Sequence, residues 1–201
     1  MGTRSLIGLT GGIAAGKSEA LRAFERLGAE TISTDEVAHE LLRSPEMRAR
    51  LSERWGDEVV SGDEVDRAKV AEIVFESPED LKWLESELHP LVGAQVVAWA
   101  GALPPDCQVA VVEVPLLFEA GMEDLFDAVV AVVAPDELRA ERERGRDLAA
   151  LEGRSGRQLS QEKKAERATH VIVNDGSLAD LESKLEALVE ELTSASAEEA
   201  E

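Results

Sequence analysis

Gly11-Gly12-Ile13-Ala14-Ala15-Gly16-Lys17-Ser18 is the stretch on which the reading of this chain turns. It matches G-x-x-x-x-G-K-[ST] in full. Glycines let such a loop wrap so that successive backbone N–H groups face a polyphosphate. The helix expected to begin near Gly16 adds the positive end of its dipole. In this pattern Lys17 reaches the β- and γ-phosphates and the Ser18 hydroxyl ligates Mg²⁺. Ile13, Ala14 and Ala15 supply further loop backbone, and the Glu19 N–H is expected at the α-phosphate. The flanks agree. Residues 5–9 are a short apolar run, residues 18–27 carry a helical pattern that Gly28 stops, and residues 30–33 look like a second strand. Strand, phosphate loop, helix, strand is the opening of a parallel α/β sheet.

Farther along, residues 109–114 (VAVVEV) and 128–133 (AVVAVV) are apolar runs without alternation. Such runs fit strands covered on both faces by helices, and residues 171–173 are a shorter candidate. Between residues 44 and 99 strand signals vanish and helix starts multiply. Ser44-Pro45 and Ser77-Pro78 each read as a cap followed by proline at the first helical position, and Pro90 is expected to start another helix. Thr34 is the expected cap of a helix carrying Val37, Ala38, Leu41 and Leu42. Leu178, Leu181, Leu185, Leu188 and Leu192 mark one face of a closing helix. Residues 194–201 are small and acidic and are expected to be a disordered tail.

Composition bounds the partners. The chain has 201 residues, 44% of them hydrophobic, which suits one folded domain with insertions. Forty-two acidic against twenty-one basic residues leave a net charge of −21. That sign disfavours nucleic acid and anionic membrane as partners, since both demand a positive surface. One cysteine, Cys107, excludes an internal disulfide and a cysteine-cluster zinc site. No apolar run approaches the roughly 18–20 residues of a membrane span. The first residues run straight into the glycine-rich motif without a secretory hydrophobic region. A cytoplasmic protein, monomeric or weakly self-associating, is the expectation.

The loop fixes nucleoside triphosphate binding but leaves the fate of the phosphate open. The strings D-x-x-G and N-K-x-D, expected of a GTPase, are absent. A small-molecule kinase needs an acceptor pocket and cations that close over the phosphates. The helical insertion, about residues 36–100, would supply the pocket. Residues 139–167 hold nine basic side chains against six acidic ones, a local reversal in an acidic chain. Arginine forks there suit phosphate oxygens, while interspersed i,i+4 ion pairs on a solvated helix would give the same composition. Asp35, just past the second strand, is placed either to accept a proton from an attacking hydroxyl or merely to favour a helix dipole.

Assembled, these segments resemble the dephospho-coenzyme A kinase family over about residues 6–192. Leu9-Thr10-Gly11-Gly12-Ile13 with Gly16-Lys17-Ser18 is similar to its phosphate loop, and Ile32-Ser33-Thr34-Asp35 to its D-A-D segment. Asp66-Arg67, Val74-Phe75 and Leu88-His89-Pro90-Leu91 resemble its coenzyme A-binding helical region. Val114-Pro115-Leu116-Leu117-Phe118-Glu119 is similar to its P-L-L-F-E stretch. Arg142, Arg146-Asp147, Arg154 and Gln158-Leu159-Ser160 fall on its lid pattern, and Val173-Asn174 with Gly176 on its nucleotide-side N-x-G.

The resemblance implies a three-layer P-loop kinase with a helical acceptor insertion and a lid at about 139–167. ATP would phosphorylate the ribose 3′-hydroxyl of dephospho-CoA with Mg²⁺ present. Asp35 becomes the base; Lys17, Arg142 and Arg154 become phosphate clamps; Arg146 and Asn174 join the nucleotide site. His89 shapes the coenzyme A subdomain, and Arg67 either pairs with a substrate phosphate or caps a neighbouring helix. The rivals are a nucleoside monophosphate kinase-like phosphotransferase and a nucleotide-dependent switch without an acceptor pocket.

Four departures carry expectations. Ala14-Ala15 stand where the family usually has Gly-Ser, and an alanine is expected to keep φ negative. Glu19 replaces a customary Thr or Ser, harmless if turned to solvent. Ser33 stands where the first aspartate of D-A-D is frequent, leaving one carboxylate to act as base. Thr169-His170 replaces Ala-Asp with no expected consequence.

Overall fold

A computed structural model describes residues 4–62, 64–144 and 158–198. They divide into two compact units, residues 1–33 with 102–201, and residues 34–101.

In the first unit, β1 (Ser5–Gly11), β2 (Glu30–Ser33), β5 (Val109–Glu113), β6 (Ala128–Val133) and β7 (His170–Val173) form one sheet in the order β2-β5-β1-β6-β7. Every neighbour is parallel: Leu9 lies opposite Glu113 and Val130, and Ser33 opposite Glu113. Parallel strands need covering on both faces, which explains the unbroken apolar runs. On one face, Ile7, Leu9, Val111, Val130 and Val132 pack against α1 (Lys17–Arg26) and α8 (Leu178–Glu198). Phe24, Leu181 and Leu185 are buried there. On the other, Leu117 and Phe126 lie over Gly8, and α7 (Gln161–Arg167) packs along β6 and β1. Helix α6 (Asp136–Glu143) follows β6.

The second unit holds α2 (Thr34–Leu42), α3 (Pro45–Trp55), α4 (Arg67–Glu76) and α5 (Pro78–Gly101) around Met47, Leu51, Val59, Val70, Val74, Leu84 and Leu88. Ser44 caps α3 by accepting from the Met47 N–H, and the Ser77 hydroxyl accepts from Asp80 N–H at the start of α5. Trp55 meets Trp83 edge-on at 5.0 Å, with its indole N–H on Asp80.

Four expectations fail here. Pro90 does not start a helix; it lies inside α5. Ser86 and Pro90 are exposed, so the Ser86 carbonyl that the proline leaves unbonded can face water and the helix runs through. Strand signal was absent from residues 44–99, yet β3 (Val60–Ser61) and β4 (Glu64–Val65) pair as a minimal hairpin too short to leave a pattern. Thr34 is the first residue of α2 rather than its cap. Of the tail expected to be disordered, residues 194–198 continue α8 to Glu198, and residues 199–201 lie outside the described residues. Thr193 and Ser194 donate their hydroxyls to the carbonyls of Val189 and Glu190, which suits helix as well as coil.

Candidate active site

The phosphate loop is built at the junction of β1 and α1. Gly12 N–H still bonds Val132 O, and Ala15 N–H closes a turn on Gly12 O. Two glycines are obligatory. A Cβ on Gly11 would meet Val132 O at 2.2 Å, and one on Gly16, at φ 102°, would meet Asn174 Nδ2 at 2.2 Å. Gly16 occupies the cap position of α1 and offers no side-chain cap, at the helix end whose dipole favours an anion. Lys17 Nζ lies over the loop, donating to Gly12 O at 3.0 Å and Gly11 O at 3.3 Å.

Ala14 corrects the sequence: its φ is +56°, left-handed, not negative. The reason is tertiary. Side chains from outside the loop take three consecutive carbonyls. Arg139 Nε donates to Ile13 O at 3.0 Å, and Arg142 Nη1 to Ala14 O and Ala15 O at 3.3 Å. Buried Asn174 donates through Nδ2 to Ala15 O at 2.9 Å. In a trans peptide the carbonyl and the next N–H point oppositely, so the Ala14 and Gly16 amides turn away from these side chains. A left-handed alanine costs about 1–2 kcal/mol, which these bonds offset.

The other loop residue in question is harmless. Glu19 ion-pairs with Arg22 one turn on, along the solvent side of α1. Ser18 is exposed at the helix start. Arg146 and Arg154 lie outside the described residues, as does the stretch 145–157 of the expected lid.

The remaining named residues belong to the second unit. Asp35 is the second residue of α2, which follows directly from Ser33 at the carboxyl end of β2. Among the described residues Arg67 caps no helix. Asp66 caps α4, and the Arg67 guanidinium meets His39 Nε2 at 2.8 Å. His39 lies four residues past Asp35, so both share one face of α2 and Arg67 is drawn to that face. His89 is exposed on α5.

Two residues in the first unit escaped the sequence reading. Glu113 ends β5 buried, opposite Leu9 and Ser33, at the edge where the phosphate loop begins. A lone acid closing an otherwise apolar strand was the available signal. P-loop folds place an acid of this kind near the metal. Lys164, on α7, has no exposed surface. Its Nζ donates to Pro115 O and lies 3.1 Å from Glu119 Oε1 and 3.5 Å from Thr10 Oγ1, the residue before the loop. Burial pushes the Lys164 ammonium below the usual lysine range, with Glu119 opposing. Nothing separates it from Lys163 in sequence. Thr169, expected to be without consequence, bonds both Val129 N–H and Val129 O and so fastens the chain entering β7 to β6.

Comparison with known proteins agrees with this geometry. A model of the dephospho-CoA kinase family matches residues 5–180. A dephospho-CoA kinase of Deinococcus radiodurans is 40% identical over 190 residues, covering 92% of this chain and 91% of that one. One from Helicobacter pylori is 34% identical over 194 residues, covering 94% and 98%. Among solved structures, a protein of Thermus thermophilus superposes with TM-score 0.78 at 34% identity, covering 94% and 98%. Dephospho-CoA kinase from Campylobacter jejuni gives 0.71 at 28%, covering 96% and 99%. A shikimate kinase from Acinetobacter baumannii, at TM-score 0.51 and 19% identity over 93% of each chain, shares the fold alone. With its phosphate loop seated between β1 and α1 and these likenesses running nearly end to end, the chain belongs to the dephospho-CoA kinase family.

Proposed function

We propose that this chain transfers the γ-phosphoryl group of ATP to the ribose 3′-hydroxyl of dephospho-CoA, giving CoA and ADP. The observation that carries this is the family match across residues 5–180, on a chain whose Gly11–Ser18 stretch joins β1 to the start of α1. ATP lies along the loop amides, with Lys17 leaving the Gly11 and Gly12 carbonyls for the β- and γ-phosphates. Phosphate oxygens are stronger acceptors than carbonyls, so Arg142 makes the same exchange. Arg146 and Arg154 complete the clamp, and Asn174 supports the loop from behind.

Asp35 accepts the proton of the 3′-hydroxyl as its oxygen bonds the γ-phosphorus and the bond to the ADP oxygen breaks. Most of the acceleration comes from alignment and charge neutralisation. Arg67 and His89 serve the acceptor side.

Among the described residues no group of three or more His, Cys, Asp or Glu side chains is disposed to hold a metal. Mg²⁺ needs no such cage, because it binds through one or two protein oxygens with phosphates and water. Ser18 and Glu113 are donors of that kind, so the residues fit. Bound there, Mg²⁺ would neutralise charge on the β- and γ-oxygens. Among the described residues no helix is long and apolar enough to cross a membrane.

The test is thermal unfolding beside a non-hydrolysable ATP analogue, with dephospho-CoA, AMP or no acceptor. A ligand at 100 times its Kd stabilises by about 2.7 kcal/mol. For a chain of this size that is roughly 5–10 °C. Dephospho-CoA should add such a shift and AMP should not. A shift with AMP alone, or with neither acceptor, would contradict the assignment.

A further inference from the structure

Among the described residues Ala14 is the one non-glycine with positive φ, and it is buried in the phosphate loop. A left-handed alanine is disfavoured roughly five- to thirty-fold against an ordinary backbone. Strain of this kind persists only where the surroundings over-determine it. The surroundings here can be named. The Ile13–Ala14 peptide plane sets φ of Ala14, and the Ala14–Ala15 plane sets ψ. Arg139 holds the first through Ile13 O at 3.0 Å, and Arg142 holds the second through Ala14 O at 3.3 Å. The two arginines are three residues apart on α6. Arg139 also pairs with Asp136, whose Oδ1 lies 2.9 Å from Nη1; the Asp136 carboxylate is 85% exposed and the Arg139 side chain only 25% exposed.

We propose that Arg139 is a positioning residue for nucleotide binding. Largely buried and paired with Asp136, it keeps the Ile13–Ala14 peptide in the plane that the left-handed Ala14 requires. The loop amides are thereby aligned before a polyphosphate arrives. Arg139 acts through the Ile13 carbonyl and does not touch the nucleotide, which leaves Arg142 free to exchange its carbonyls for phosphate. α6 is then part of the loop's scaffold, and nucleotide affinity depends on a helix outside the motif. The proposal rests on the ATP reading above.

The experiment is a double-mutant cycle read by calorimetric ATP binding and by steady-state kinetics. The proteins are wild type, Arg139→Ala, Ala14→Gly and the double variant. Arg139→Ala should weaken ATP binding and raise KM for ATP about five- to thirty-fold, with KM for the acceptor within about twofold. Glycine visits the left-handed region unaided. In the Ala14→Gly background, therefore, the same Arg139 substitution should cost less than about twofold. Asp136→Asn, which removes only an exposed partner of the guanidinium, should act in the same direction as Arg139→Ala by less than about fivefold and also be muted by Ala14→Gly. Equal losses in both backgrounds, or unchanged ATP affinity in Arg139→Ala, would overturn the proposal while leaving ATP binding intact. Failure of the wild type to bind ATP would remove both.

Discussion

Replacing Lys164 with methionine should be among the most damaging single changes in the first unit. The side chain is fully buried, and its ammonium serves Pro115 O, Thr10 Oγ1 and Glu119 Oε1. Glu119, 15% exposed, then keeps one donor among the described residues, the Leu159 N–H on Oε1. Its Oε2 is already buried without a hydrogen-bond partner among the described residues. Breaking a buried pair by deleting one partner costs about 3–5 kcal/mol. At about 2–4 °C per kcal/mol for a chain of this length, the midpoint should fall by roughly 6–20 °C.

Lys164→Met with Glu119→Gln removes both charges yet keeps an acceptor for Leu159. Pro115 O keeps the Thr10 hydroxyl, 3.2 Å away. The double variant should therefore recover most of the loss. Urea unfolding of wild type, both single variants and the double gives the coupling energy. The pair also has a pH signature. Because burial lowers the Lys164 pKa, the unfolded chain binds more protons between the folded value and about 10.4. Wild type should therefore gain stability relative to Lys164→Met as pH rises through that interval. A single substitution costing under about 1 kcal/mol, or additive losses, would refute the buried-pair reasoning.

Asp35→Asn should abolish turnover while calorimetric ATP affinity stays nearly unchanged; near-normal turnover would remove the base assignment. Gly16→Ala should eliminate ATP binding, because its Cβ would lie 2.2 Å from Asn174 Nδ2, and retained affinity would mean that the loop is looser than described. Glu113→Gln should raise the Mg²⁺ concentration needed for half-maximal rate more than it raises KM for ATP, and an unchanged Mg²⁺ curve would detach Glu113 from the metal. In the second unit, the Trp55 N–H, then Ser77 and Arg54, hold the Asp80 carboxyl below its ordinary range. Its stabilisation is present above about pH 4 and fades as pH falls through the lowered folded value. Tryptophan fluorescence should report earlier acid unfolding of wild type than neutral-pH stability implies, and Asp80→Asn should flatten that acid dependence.

What was legible in the sequence was local. The phosphate loop is one contiguous string whose residue types answer to backbone geometry, and the unbroken valine runs announced strands covered on both faces. Gly28, Ser44 and Ser77 mark helix ends by chemistry that acts within four residues. The misreading that bears most on the site is tertiary. Ala14 turns left-handed because Arg139 and Arg142, more than a hundred residues on, take the neighbouring carbonyls. Pro90 passes inside α5 because its surroundings are solvent. Lys164 is buried and Lys163 exposed, though the two are adjacent in α7. Glu113 was visible but was absorbed into an apolar run. Asp35 gained a role only through resemblance, since nothing local separates a base from a first-turn aspartate.

The most direct test is to identify the product made from ATP and dephospho-CoA by the purified protein, using mass spectrometry and phosphorus NMR. One equivalent of ADP should form per CoA, with the new phosphomonoester on the ribose 3′-oxygen. ADP accompanied by inorganic phosphate, or a phosphoryl group on any other oxygen, would contradict the assignment.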